Sequence, residues 1–361
     1  MGANDKVRWT GAASAHTALS VVAVDNSAGV PSTGATLNAS VTGGSTPFSN
    51  AATLAASAAP VVIDLNRDGA LSYSHVAMDV NGDGLLDHTA WAGAQDGVLV
   101  WDKLGDGKVH DSSQYAFAQY GGNTDLQGLA AGFDTNHDGQ FNAQDAKFGE
   151  FKVWQDANQN GVSDAGEVRS LAELGLTAID LTSDGVVRTP ADGVTEAGRT
   201  TATASDGTQV LVADVGFEYI SLGYSMGTDS AGLGILKLAD GAALSLAQVG
   251  KQSSHAVAVV DLLSDSAANA LTLSLQDVLD LSGGNLFNSG TTSSSSTSAT
   301  SAKQLAVLGD AQDTLHIGTG WTNSGTLVNY NGHDLVVYNS NTSAAQLLIE
   351  QTMVNANHVV I

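Results

Sequence analysis

Short β-branched runs that each end in an aspartate recur through the first half of the chain. Val61-Val62-Ile63 runs into Asp64, Val76-Ala77-Met78 into Asp79, and Val98 to Trp101 into Asp102. Runs of this kind, bounded by Asp, Asn and Gly, predict strands joined by tight polar loops. From Thr124 the period changes. Thr124 is placed to cap a helix whose Leu126, Leu129 and Phe133 recur at helical spacing before Asp134. Phe148, Phe151 and Trp154, again three apart, predict a second helix of about 15 Å. A third, Val168 to Leu174, is closed by Gly175, and Leu176 to Leu181 returns to strand.

Beyond Thr182 the pattern is β-rich, with turns at Asp184-Gly185, Asp192-Gly193 and Asp206-Gly207. The segment Leu273 to Leu281 fits a short helix or a strand. Thr291 to Ala302 is almost wholly Ser, Thr and Ala and reads as a flexible linker. Lys303 to Ile361 carries short aliphatic runs, among them Thr326 to Tyr330, Leu335 to Tyr338 and Leu347 to Ile349, which predict a small β sandwich or open barrel.

The aspartates at the ends of the runs open loops with a common register. An EF-hand calcium loop takes oxygen ligands from positions 1, 3, 5, 7, 9 and 12 and turns on a glycine at position 6. Loop 4 (134–145) offers Asp134, Asn136, Asp138, the carbonyl of Gln140, Asn142 and Asp145, with Gly139 at the turn. Loop 5 (156–167) offers Asp156, Asn158, Asn160, the carbonyl of Val162, Asp164 and Glu167, with Gly161 at the turn. The bland reading is that Asp, Asn and Gly merely make turns. Two complete registers in succession weigh against it.

Three looser loops precede them. Loop 1 (64–75) offers Asp64, Asn66, Asp68 and Ser72, but ends on His75. Loop 2 (79–90) offers Asp79, Asn81, Asp83 and Asp87, with Ala90 last. Loop 3 (102–113) keeps Asp102 and Asp106, with Asp111 as a further acid, and has Leu104 at position 3. The expected fold is therefore α+β: a calcium-loop module of short helices and strands, then β-rich segments and a small C-terminal β sandwich-like domain. Its boundaries are 1–58 (an Ala/Ser/Thr/Gly-rich linker or weak β segment), 59–182 (the module), 183–290, 291–302 and 303–361. Loops 4 and 5 would share one helix. Their position-8 residues differ, Phe141 against Ser163, so they are not expected to form a symmetric pair.

Charge and composition narrow the partners. The 361-residue chain carries a formal net charge of -24, which repels nucleic acid and anionic membrane, and bound cations would neutralise much of it. It has no cysteine, so disulfides and thiolate metal sites are excluded. No apolar run is long enough to span a bilayer, and no N-terminal signal peptide is visible. The repetitive polar opening reads as part of a longer protein. Calcium abundance outside cells suits a secreted or cell-surface location.

No H-E-x-x-H, G-x-S-x-G or phosphate-cradling loop occurs, and the nine histidines are scattered. The segment GDAQDTLHI from Gly309 faintly echoes a nonapeptide β-roll repeat. One degenerate copy is not expected to stack, so no calcium is assigned to it.

The order PVVIDLNRDG, DVNGDG, AWAGAQDGVLVWD, FDTNHDGQFNAQDAKF, KVWQDANQNGVSDAGE and LAELGLTAIDL resembles the calcium-dependent self-processing module of iron-regulated RTX proteins, over roughly residues 60 to 182. LSLQDVLDL and the final β segment look like the C-terminal region of large type I secreted adhesins. That likeness implies an uncleaved C-terminal export signal, with other segments of the same large protein, or a host or biofilm surface, as partners. Members of the self-processing family cleave an Asp-Pro bond at the module's start. The aspartate carboxylate attacks its own carbonyl to form a cyclic anhydride, and proline nitrogen leaves. Here the position is Ala59-Pro60, so the nucleophile is missing and no self-cleavage is expected. A partner-binding module akin to dockerin would need two near-identical loop-helix units, and the unequal loops argue against it.

Overall fold

Strands, not helices, carry most of the loops. The structure, a computed structural model, describes residues 59–249, 256–263, 267–284, 286–287 and 302–361, together with the backbone of 19–21, 52–54 and 56–58. Most of the expected 1–58 segment, and all of the 291–302 linker except Ala302, fall outside the described residues. Contacts divide the chain into two units: residues 1–76 with 88–220, and residues 77–87 with 221–361.

The first unit is built on an antiparallel sheet. Its main path runs Val168–Ser170, Phe151–Trp154, Gly97–Trp101, Val61–Ile63, Gln209–Ser221, Val194–Ala204, Leu176–Asp180 and Gln140–Asn142. The α+β expectation is corrected here: the described chain is mostly strand, and its α-helices are the short Asp125–Phe133, Leu275–Leu281 and Gln351–Asn355. The first is the helix expected from Thr124, whose side chain accepts a bond from the Gln127 amide. The shared helix is absent. Phe148–Glu150 is a single 3-10 turn, and Phe151–Trp154 is a strand, with Trp154 opposite Val98 on one side and Val168 on the other. Pairing on both flanks satisfies this segment's backbone and buries Phe151, Val153 and Trp154, which outweighs a three-residue spacing. Val168–Ser170 is likewise a strand, and Gly175 closes the following turn at φ 68°.

The Asp125–Phe133 helix packs on this sheet through Leu126, Leu129 and Phe133. Gly128 lets it approach: a methyl there would fall 1.9 Å from the Phe117 carbonyl oxygen. Phe133 at the entry of loop 4 and Phe141 at its position 8 both pack edge-on to Phe151, at 4.9 and 4.6 Å between ring centroids. One aromatic cluster thus anchors the loop at its entry and at its middle.

The second unit corrects the sandwich expectation. Its chain makes four coils, each placing one strand in each of two parallel stacks: Gly234–Leu238 then Ala243–Ser245, Val257–Asp261 then Ala270–Thr272, Lys303–Leu308 then Thr314–His316, and Ala345–Glu350 then Val359–Val360. Leu236, Val260, Val307 and Ile349 from one stack and Leu244, Leu271 and Leu315 from the other share a core. The larger sheet is also buried on its second face, by Ala258, Ala306, Leu348, Phe287 and Val328. Strands buried on both faces read as continuous apolar runs, as VAVV and LAVL do here. The undecided segment resolves as the helix Leu275–Leu281, started by a Ser274–Asp277 capping box.

The Gly309 segment stacks after all, because its neighbouring coils share its path without its sequence. Asp313, 1% exposed, accepts bonds from the Asn269 and Asp310 amides at 2.9 and 2.8 Å, and so ties a corner of the stack.

Candidate metal centre

All five loops adopt one backbone. Left-handed φ recurs at positions 4 and 6: Arg67 58° and Gly69 83°, Gly82 78° and Gly84 85°, Gly105 70° and Gly107 70°, His137 56° and Gly139 82°, Gln159 59° and Gly161 71°. In each loop the position-1 carboxylate accepts the position-6 amide: Asp64 from Gly69 at 2.9 Å, Asp79 from Gly84 at 2.9 Å, Asp102 from Gly107 at 3.1 Å, Asp134 from Gly139 at 3.0 Å, and Asp156 from Gly161 at 2.9 Å. The sequence marked the glycine at position 6. The second left-handed residue was hidden because Arg, His or Gln fills it in three loops.

Loops 4 and 5 close on themselves in the same way. Asp145 accepts the Thr135 and Asn142 amides at 2.7 and 2.9 Å, and Glu167 accepts the Ala157 and Asp164 amides at 3.0 and 3.0 Å. The position-12 acid therefore ties position 2 to position 9 in both, and the shorter aspartate does so as well as the glutamate. Inside loop 4, Asn136 bonds to Asp138 at 2.9 Å, while the Asn142 side-chain oxygen accepts from the Gln144 amide at 2.8 Å. In loop 5, Asn158 and Asn160 both donate to Asp164, each at 2.9 Å. Hydrogen bonds hold the carboxyls of Asp138 (from the Gln140 amide, then Asn136) and Asp164 (from Asn158 and Asn160) below the usual range. Burial pushes Asp156 the other way. At position 7 the Val162 side chain is exposed, which leaves its backbone carbonyl as the oxygen that the residue can offer.

Loop 1 meets a carboxylate from outside its twelve-residue register, whereas the acids of loops 2 and 3 come from within theirs. In loop 1, Asp64, Asn66 and Asp68 stand in the expected order, with the Asp68 amide on Asn66 at 3.2 Å and the Ala70 amide on Asp68 at 2.8 Å. Ser72 is turned away as a donor: its amide and hydroxyl both bond to Asp96, at 2.8 and 2.6 Å. Asp96 is 2% exposed, and its other carboxylate oxygen has no hydrogen-bond partner. Burial raises its pKa, opposed by the Ser72 bonds and reinforced by the negative charges of Asp64 and Asp68. It brings a carboxylate to loop 1, whose own position 12 is His75, and nothing in local spacing could reveal it.

In loop 2, Asp87 accepts the Val80 amide at 3.0 Å and buries its second oxygen without a partner. Burial, with Asp83 and Asp79 beside it, pushes its pKa up to about 6. Asn81 and Asp83 repeat the Asn66–Asp68 arrangement, with a side-chain bond of 3.1 Å. In loop 3, Asp102 likewise buries an unpartnered oxygen. Asp106 is paired with His110 at 2.8 Å, Leu104 is 65% exposed, and Asp111 caps the next turn by accepting the Ser113 amide. This is the least complete set.

The loops are bridged at position 8. Val109 of loop 3 donates its amide to Ser163 of loop 5 at 2.9 Å. Phe141 of loop 4 pairs instead with Ile179, and Leu86 of loop 2 exchanges bonds with Leu222 and Tyr224, both 2.8 Å. Loops 4 and 5 are therefore each bridged elsewhere, as their unlike position-8 residues foreshadowed.

The donors suit a hard cation. Among the described residues, no three His, Cys, Asp or Glu side chains gather around one point by themselves. Loops 1, 2, 4 and 5 set asparagine oxygens beside their carboxylates, donors of the kind that calcium takes, and loop 3 has none. Also among the described residues, no helix is long and apolar enough to cross a membrane.

Residues 61–218 match the SPM domain, a match that runs past residue 182 into the two longest strands. The chain is 35% identical over 173 residues to the iron-regulated protein FrpA of Neisseria meningitidis serogroup C, covering 43% of this chain and 15% of that protein.

Proposed function

We propose that this chain is a calcium-binding structural module of a secreted or cell-surface RTX-like protein, exported by a type I route and folded by calcium outside the cell. The observation that carries the reading is the set of buried carboxylate oxygens without partners on Asp87, Asp96 and Asp102, one at each of loops 1 to 3. A buried carboxylate is costly unless a cation or proton meets it. Inside a cell, where calcium is scarce, the charge of -24 keeps such a chain loose. Outside, each ion held at a hundredfold excess over its Kd adds about 2.7 kcal/mol to the folded state.

The test is a calcium titration followed by the fluorescence of Trp91, Trp101 and Trp154, with melting temperature in parallel. A rise of both with millimolar calcium is expected. A chain whose fluorescence and Tm ignore calcium contradicts the reading.

Self-processing is absent in this reading. Pro60 is buried, and its carbonyl accepts the Val215 amide at 2.9 Å, so the bond is held in place, but Ala59 offers only a methyl group. The strands on either side, Ala56–Ala58 and Val61–Ile63, both pair with Gln209–Ser221. Substituting Ala59→Asp and adding calcium is expected to yield two bands on a denaturing gel, with the unsubstituted chain intact. A single band from A59D would show that the surroundings of Pro60 no longer support cleavage.

A further inference from the structure

Across the hairpin strands Tyr73–Met78 and Asp87–Ala92, each strand leaves one residue exposed, and in both it is histidine. His75 and His88 face each other with ring centroids 5.0 Å apart and planes 12° from parallel. Neither ring has a hydrogen-bond partner among the described residues. Neither histidine serves the oxygen sets. His75 stands where loop 1 would close, a place Asp96 supplies, and His88 follows Asp87 but points to solvent.

We propose that His75 and His88 together bind one divalent transition-metal ion of the zinc, nickel or copper class, at a site separate from the calcium loops. Imidazole nitrogen suits these ions, whereas calcium takes hard oxygen donors. Metal–nitrogen bonds of about 2.1 Å let two imidazoles meet across one ion with their donor atoms up to about 4 Å apart. Rings stacked at 5.0 Å reach that separation by tilting their nitrogen edges toward one another, which their exposure permits. The strands beneath them are anchored: Val76 and Trp91 are each 0% exposed, so the two Cα positions are fixed and the ion draws in only the rings. Water fills the remaining coordination positions, which makes the site exchangeable.

The experiment titrates the full chain with Cu2+, and separately with Zn2+, at neutral pH in millimolar calcium, so that the oxygen loops compete as little as possible. Calorimetry is expected to show one equivalent bound, and the electron paramagnetic resonance spectrum of the copper form to show coupling to two nitrogens. His75→Ala and His88→Ala should each weaken binding by roughly tenfold or more. His316→Ala, an exposed histidine in the second unit, should leave it unchanged. Unchanged far-ultraviolet circular dichroism in all three variants shows that the fold is intact. Absence of one-equivalent binding in the unsubstituted chain overturns the proposal, as does binding that H75A and H88A do not weaken. Because calcium is constant throughout, the result is independent of whether the loops bind it.

Discussion

Loops 4 and 5 and loops 1 to 3 share a backbone but finish it differently. In loops 4 and 5 the position-12 acid bonds back to positions 2 and 9, so the oxygens are held in place by the loop itself. In loops 1 to 3 the ring is left open, and a carboxylate from Asp96, Asp87 or Asp102 keeps an oxygen buried and unanswered. A loop closed by its own amides is organised before any ion arrives. An open one stores an electrostatic cost that a cation, or at lower pH a proton, relieves. Calcium should therefore stabilise loops 1 to 3 most, although their individual sites hold fewer ligands.

Asp125 tests whether buried oxygen alone predicts an ion. Its carboxyl is 0% exposed, one oxygen is unpartnered and the other accepts from the Ala118 amide, but it lies away from the loops. Burial, with Asp214 alongside, pushes its pKa up to about 8, so a proton answers it instead of a cation. The native state then binds more protons than the unfolded one between about pH 4 and pH 8. The stability this contributes is full below about pH 4 and is lost as pH rises through about 8. Asp125→Asn mimics the protonated acid. Urea melts should show it more stable than the parent at pH 8.5, by a few kcal/mol at order of magnitude, with the difference shrinking toward pH 5. Saturating calcium should leave that difference unchanged. A difference that calcium erases would make Asp125 another ion ligand and dissolve the contrast.

Asp96 offers the second break. Asp96→Asn keeps the hydrogen bonds to Ser72 and removes the charge that would close loop 1. Calorimetry should count one calcium ion fewer, and the calcium-dependent gain in stability should fall by about 2.7 kcal/mol at a hundredfold excess. Loops 4 and 5, closed by Asp145 and Glu167, should bind as before. If D96N binds as many ions as the parent, loop 1 is an ordinary turn.

What the sequence revealed was local chemistry. Position-1 aspartates, position-6 glycines and the Thr124 cap all act within a few residues, and each was readable. Asp96 lies 24 residues from Ser72, and the carboxylate that completes a set by crossing the fold leaves no spacing to detect. Phe151–Trp154 failed for a related reason. Its aromatic spacing fits a helix, but partners at Val98 and Val168, far along the chain, decide the backbone. The coil stack of the second unit was unreadable because its strand pairs recur at irregular intervals, interrupted by the Leu275–Leu281 helix and the Trp321–Ser340 hairpin.

The smallest expected effect concerns the position-8 bridge between loops 3 and 5. Ser163 accepts the Val109 amide at 2.9 Å and donates back to the Val109 carbonyl at 3.4 Å, position 8 to position 8. Loop 5 is closed by Glu167, whereas loop 3 has Leu104 in place of a ligand and leans on its neighbour for order. Ser163→Ala removes the acceptor and should cost about 1 kcal/mol. The cost should fall mainly on loop 3, because loop 5 keeps its own closure. Trp101, adjacent to Asp102, reports on loop 3. Its calcium-induced fluorescence change should move to higher calcium in S163A, while Ser163→Thr, which keeps the hydroxyl, should restore it. Equal weakening of both loops would mean that loop 5 depends on the bridge as much as loop 3 does, and that closure by the position-12 acid confers no independence.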